Sequence, residues 1–136
     1  MPIPKNNPNL QVEIYLLENN EKIKTKISLL SLAVLMRDFD WVKKLLLQDF
    51  DSNLQDSYFQ RTALHWAMAN PVQFTYENHQ FECLDAQPDL AWILLEHQIN
   101  PNLKDRFNHL YLDLLPEWEL SKWNFRIHQK QTYKFN

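Results

Sequence analysis

Apolar and polar positions recur in this chain as a repeated helix ending. Leu16-Leu17-Glu18-Asn19-Asn20, Leu45-Leu46-Leu47-Gln48-Asp49 and Leu94-Leu95-Glu96-His97-Gln98 each place paired leucines before polar residues and a turn. Leu29, Leu32, Ala33 and Met36 fall at i, i+3, i+4 and i+7, the spacing that lines one face of a helix. Val42, Leu45 and Leu46 keep that spacing until Asp49 breaks it, and Leu90, Ile93 and Leu94 repeat it. Pro88 stands where a first-turn proline is tolerated. The short distance between these runs predicts antiparallel helix pairs, each burying its apolar face against its neighbours.

The first segment carries two patterns. Val12, Ile14 and Leu16 alternate, as do Ile23, Thr25 and Ile27, which is the pattern of a β-hairpin turning at Asn19-Asn20. Leu16-Leu17-Glu18-Asn19 also fits the register of the helix endings, and on that ground a helix over about residues 10–19 is the preferred expectation.

Two of the helix endings continue in parallel. Asp51-Ser52-Asn53-Leu54-Gln55-Asp56 runs beside Asn100-Pro101-Asn102-Leu103-Lys104-Asp105, and the shared N-L-(Q/K)-D can hold a tight turn through its Asn and Asp side chains. Next comes Thr62-Ala63-Leu64-His65-Trp66-Ala67, with a weaker version at Ser28-Leu29-Leu30-Ser31-Leu32-Ala33 and a reduced one at Leu110-Tyr111-Leu112-Asp113. T-A-L-H-W-A resembles the T-P-L-H-x-A signature of ankyrin repeats, whose period is about 33 residues. The resemblance covers most of residues 28–115. It departs at Ala63, where proline is usual, in a long insertion, and in the absence of glycine.

The resemblance implies an all-α fold, an ankyrin-like stack of antiparallel helix pairs with short hairpin turns. The single domain, 1–136, would divide into an N-terminal half repeat (1–27), repeat one (28–61), repeat two (62–109) with an insertion at 71–87, and a degenerate cap (110–136), in which Pro116 ends the first helix. It also implies roles. Ala33 and Ala67 permit close helix contact, Thr62 caps a helix by accepting a backbone N–H, and His65 bonds across neighbouring turns. A partner would meet the turn tips, Ser57, Tyr58, Phe59, Gln60 and Arg61 at one and Arg106, Phe107, Asn108 and His109 at the next. The inner helix face adds Leu35, Met36, Ala69 and Asn70. From these the expected protein-binding set is Tyr58, Phe59, Arg61, Asn70, Arg106, Phe107 and His109, since aromatic residues and arginine are enriched at interface anchors.

The insertion holds Phe74, Tyr76, Phe81, Cys83 and Leu84, too apolar for a solvated linker. It is expected to fold back on the repeats with a short helix around Glu77 to Leu84. On a helix, His79 and Cys83 would share a face with Asp85 nearby, but zinc needs four ligands or three and water, so no metal is expected. Cys83 with His65 or His97 is conceivable as a nucleophile and base, yet no local signature supports the pair. Glu82, Asp85 and Asp89 are acidic neighbours whose spacing alone carries no chemistry.

Composition narrows the rest. The 136 residues, 45% of them apolar, fit one globular domain. No apolar run reaches the roughly 18 residues of a membrane span, and Met1-Pro2-Ile3-Pro4-Lys5 lacks the apolar core of a secretory signal. Cys83 is the only cysteine, so no disulfide forms within the chain and a reducing cytoplasm is expected. A net charge of −3 without a basic cluster argues against nucleic acid; the locally basic stretch from Lys122 to Lys134 reads as a solvated tail or last helix. Without glycine there is no phosphate loop, dinucleotide fingerprint or nucleophile elbow, and turn positions fall to Asn20, Asp49, Gln98 and Asn108. Trp41 and Trp92 are expected to pack, and Trp118 and Trp123 to cover the end of the stack or join an interface.

The functional expectation is a non-enzymatic, cofactor-free module, monomeric when free, that binds another protein and masks or inhibits it. It would be an immunity or inhibitor type, or a bacterial effector acting in a host cytoplasm. The alternatives are a small enzyme built on Cys83 and His79, and a structural subunit of a larger assembly.

Overall fold

The computed structural model describes residues 7–69 and 71–115. Its first element is a β-hairpin, β1 (Gln11–Glu18) and β2 (Glu21–Ser28), so the helix expected over residues 10–19 is overturned. The reason lies in the period. Val12, Ile14 and Leu16 are all buried while Gln11, Glu13, Tyr15 and Leu17 are exposed, a two-residue alternation that only a strand can satisfy. Asn19 and Asn20 take φ of 51° and 66°, the pair of positive values that a two-residue turn matching strand twist requires. The leucine pair Leu16-Leu17 is therefore split between two faces of a sheet.

The insertion is a second hairpin rather than a helix. Strands β3 (Val72–Tyr76) and β4 (His79–Cys83) turn at Glu77 and Asn78, again at positive φ. β3 pairs with β1 through Tyr15↔Thr75, Leu16↔Phe74 and Leu17↔Gln73. The result is one antiparallel sheet in the order β2-β1-β3-β4. Its inner face buries Val12, Ile14, Leu16, Ile27, Val72, Phe74 and Cys83, and Phe74 stacks on Phe81 with ring centroids 5.1 Å apart.

Four short helices pack in two pairs: α1 (Leu29–Leu35) with α2 (Phe39–Leu46), and α3 (Ala63–Met68) with α4 (Pro88–Glu96). α1 packs on both α2 and α3, α3 on α4, and α2 on α4. Ser28 caps α1 by accepting from the Ser31 N–H at 3.0 Å, Asp38 caps α2 from Trp41 at 3.1 Å, and Pro88 opens α4. Every residue of α1 and α3 is buried, whereas Trp41 and Trp92 on the outer helices are half-buried. Where a third pair was expected, Tyr111–Leu114 forms one 3-10 turn against α3.

The architecture is mixed α/β. The expectation of an all-α ankyrin stack, a helical-repeat solenoid, fails because both hairpins, remote in sequence, combine into a sheet that takes the place of an end repeat. Expectations placed on Met1–Lys5, Asn70, Pro116, Trp118, Trp123 and the stretch from Lys122 to Lys134 lie outside the described residues. No helix among the described residues is long and apolar enough to cross a membrane.

Candidate functional site

One turn follows the second helix of each pair, and each of the two is organised around a buried aspartate. Asp56 accepts from the backbone N–H groups of Phe59 at 2.6 Å, Arg61 at 2.7 Å and Tyr58 at 3.2 Å, and from the Thr25 hydroxyl at 2.7 Å. Asp105 does the same in the second turn, accepting from the N–H groups of His109 at 2.8 Å and Phe107 at 2.9 Å. A buried carboxylate has only acceptor sites, and here the backbone donors of a tight loop meet them. The loops are thereby fixed from within.

They are also fixed to one another. Ser57 N–H donates to the Lys26 carbonyl at 3.1 Å, and Lys26 N–H donates to the Ser57 hydroxyl at 2.9 Å, so the first tip lies along the edge of β2. Arg106 N–H donates to the Phe59 carbonyl at 2.8 Å, which lays the second tip beside the first. Gln55 Nε2 bridges the Gln60 and Lys104 carbonyls at 2.7 and 2.9 Å. Sheet edge, first tip and second tip form one bonded row.

His65 ties this row to α3. Its Nδ1 accepts from Thr62 N–H at 3.1 Å and meets the Thr62 hydroxyl at 2.9 Å, so the ring reaches back to close the helix start in a capping box with Thr62. With Nδ1 accepting, the proton resides on Nε2, which donates to the His109 carbonyl at 2.8 Å. Burial lowers the His65 pKa, against smaller opposing effects of the His109 carbonyl and Asp105. The imidazole is held neutral.

The residues expected at the tips separate into two groups. Phe59 is 1% exposed and packs edge-on against Tyr58 and Trp66, so it belongs to the core. Arg61 turns inward as well: its guanidinium lies 4.8 Å over Phe59 and 4.9 Å over Trp66, and its Nε reaches Asp105 at 3.3 Å. The outward group is Tyr58, half-buried, with Arg106 stacked 4.6 Å over its ring, together with Phe107, 50% exposed, and exposed His109. Phe107 sits 6.4 Å from both Phe59 and His109, ring to ring. Of the inner-helix residues, Leu35 and Ala69 are buried and Met36 is half-buried, while Asn70 lies outside the described residues.

The insertion chemistry changes with its fold. On a strand, His79 and Cys83 stand about 13 Å apart along the chain, not one helical turn apart. Cys83 is buried, its S–H donates to the Leu35 carbonyl at 2.8 Å, and burial pushes its pKa up. That is the opposite of what a nucleophilic thiol needs. Among the described residues no group of three or more His, Cys, Asp or Glu could hold a metal ion.

Sequence reasoning missed Arg37. It adopts φ of 56°, and its guanidinium donates to the carbonyls of Trp66 (2.8 Å), Asp85 (3.0 Å), Ala69 (3.1 Å) and Val34 (3.2 Å). It thus joins the α1–α2 turn, the end of α3 and the exit of the second hairpin. No spacing rule exposes a side chain that binds only carbonyls. The aspartates were visible only as the last letter of the repeated N-L-(Q/K)-D.

No protein-family model matches the sequence, and none of the curated proteins is significantly similar to it.

Proposed function

We propose that this chain is a protein-binding module that masks or inhibits its partner through the row formed by the β2 edge and the two tips. The observation that carries the reading is the internal anchoring of the tips by Asp56 and Asp105. Loops held in this way lose little conformational freedom when a partner docks, so contact made by Tyr58, Arg106, Phe107 and His109 is not offset by ordering. An aromatic ring under an arginine beside a half-exposed phenylalanine supplies the large, directional side chains typical of binding anchors. The free thiol of Cys83 accords with a reducing cytoplasm as the place of encounter.

The test is site-specific photocrosslinking. A photoreactive phenylalanine analogue in place of Phe107 should capture a discrete protein adduct from extract of the producing cells or their host. The same analogue in place of Leu47, 80% exposed at the C-terminal end of α2 and outside the row, should not. Equal labelling at the two positions, or none at Phe107, would sink the reading.

A further inference from the structure

The partner's chemistry can be taken a step further, on the reading just given. We infer that the free edge of β2 and the adjoining tips receive an acidic segment of another protein, bound in extended form as an added strand. β2 is the last strand of the sheet. At Lys26 both backbone groups point outward and are met by Ser57. Antiparallel pairing alternates inward and outward groups, so Lys22 and Lys24 present their N–H and C=O along the same edge. Among the described residues no backbone group pairs with them there.

Charge selects what can occupy that edge. Lys22, Lys24 and Lys26 form an exposed column on the outer face of the sheet, opposite Leu17, Tyr15 and Glu13. The tips add exposed Lys104 and Arg106. Against these five cations stand three exposed acids, Glu13 at 3.9 Å from Lys24 and the pair Glu18 and Glu21 at the hairpin turn. Asp56 and Asp105 are buried and engaged by backbone donors. The row is therefore basic in a chain whose net charge is −3. Further acids stand on other elements, with Asp38 and Asp40 at α2, Asp85 and Asp89 before and in α4, and Glu96 at its end.

Lysines on an edge strand repel a second copy of the same edge, which disfavours self-pairing. A strand carrying alternate carboxylates meets no such repulsion. Its backbone would bond Lys22 and Lys24, and its carboxylates would lie over the lysine column. Exposed ion pairs contribute little individually, so backbone bonding supplies the affinity and charge chooses the sequence. Tyr15 and Leu17, 41% and 45% exposed beside the column, offer apolar contact to the residues between.

The experiment uses the full chain and a short fluorescent peptide alternating glutamate and threonine, read by anisotropy. The peptide should bind at least about tenfold more tightly than its lysine–threonine counterpart and than the same acidic peptide N-methylated along one edge. Lys22→Glu with Lys24→Glu should weaken it by at least about tenfold, whereas Lys43→Glu with Lys44→Glu on α2 should leave it unchanged. Three results overturn the inference: equal binding of the N-methylated peptide, equal loss in the α2 variant, or equally tight binding of single-stranded DNA, which would make the row a general polyanion site. Failure of the acidic peptide to bind at all also overturns it, yet leaves the Phe107 crosslinking result standing on its own.

Discussion

The Thr25 hydroxyl donates to the buried carboxylate of Asp56 at 2.7 Å, across 31 residues of sequence. This bond makes the N-terminal hairpin and the first tip parts of one surface. Thr25 is 1% exposed and faces the same side of β2 as Ile27, so neither group can turn to water. Removing the hydroxyl leaves a charged acceptor short of one donor in a dry site.

Thr25→Val preserves the shape of the side chain and tests this directly. The substitution should cost about 1.5–3 kcal/mol, the range for a hydrogen bond to a charged group, as read by urea unfolding. The Phe59 and Arg61 amides should also exchange faster, because their acceptor is no longer held. Unchanged stability would mean that Asp56 anchors the tip without the hairpin.

The neutral His65 gives stability a pH dependence whose sign is fixed. Its folded pKa lies below the ordinary value of 6.5, so the unfolded chain takes up the proton first as pH falls. Stability is then fully present above about pH 6.5 and declines below it, toward the depressed folded pKa. The melting temperature should fall between pH 7.5 and 5.5, and His65→Gln should flatten part of that slope. A wild-type melt that rises on acidification would contradict the assignment of Nδ1 as acceptor.

Cys83 should behave as a core side chain. A thiol that is 5% exposed, donating to a carbonyl and pushed up in pKa, reacts only when the structure opens. An aromatic disulfide reagent should modify it slowly in the native protein and at once in denaturant. Fast native labelling would place the β4 end at the surface.

The helices were legible because their signal is local. Apolar spacing and the first-turn Pro88 lie within one turn of the element they define, as do the Asp38 and Ser28 caps that only the structure brought out. The tips were legible in outline through N-L-(Q/K)-D, but which residues face out was not. Phe59 and Phe107 look alike in sequence, and only the packing of Trp66 beneath the first tip decides that Phe59 turns in. The sheet was the larger miss. Each hairpin shows alternation, yet its pairing partner lies far along the chain: Leu16 meets Phe74 only after α1, α2 and α3. A strand whose stability comes from a remote neighbour is weakly specified by its own residues. The repeated leucine pair at Leu16-Leu17 then pointed to a helix where the alternation of Val12, Ile14 and Leu16 decided the outcome.

Without glycine, eight described turn residues take positive φ at some steric cost, and Gln98 isolates that cost. It follows α4 at φ of 67°, is exposed, and its N–H bonds Leu95 within an ordinary helix end. The left-handed region costs a residue with a Cβ about 1–2 kcal/mol, and glycine's greater unfolded-state freedom returns part of that. Gln98→Gly should therefore raise stability by about 0.5–1 kcal/mol in a thermal or urea melt. A loss would show that the Gln98 side chain makes a contact its exposure conceals.

Arg37 also takes a positive φ, 56°, and should respond in the opposite direction. Glycine there relieves the same steric cost but removes a guanidinium bonded to four carbonyls on three segments. Four such acceptors left short of donors outweigh the relief, at roughly 1 kcal/mol or more each where the site is dry. Arg37→Gly should destabilise by at least about 2 kcal/mol, and Arg37→Lys should recover little, because an ammonium cannot reproduce the planar fork. The loss should be concentrated where the segments meet, so hydrogen exchange should quicken at the Gln87 amide, which bonds the Ala67 carbonyl, before it changes at the tips. Full rescue by lysine would reduce the role of Arg37 to its charge, and a stabilising Arg37→Gly would show that the four bonds contribute less than the turn costs.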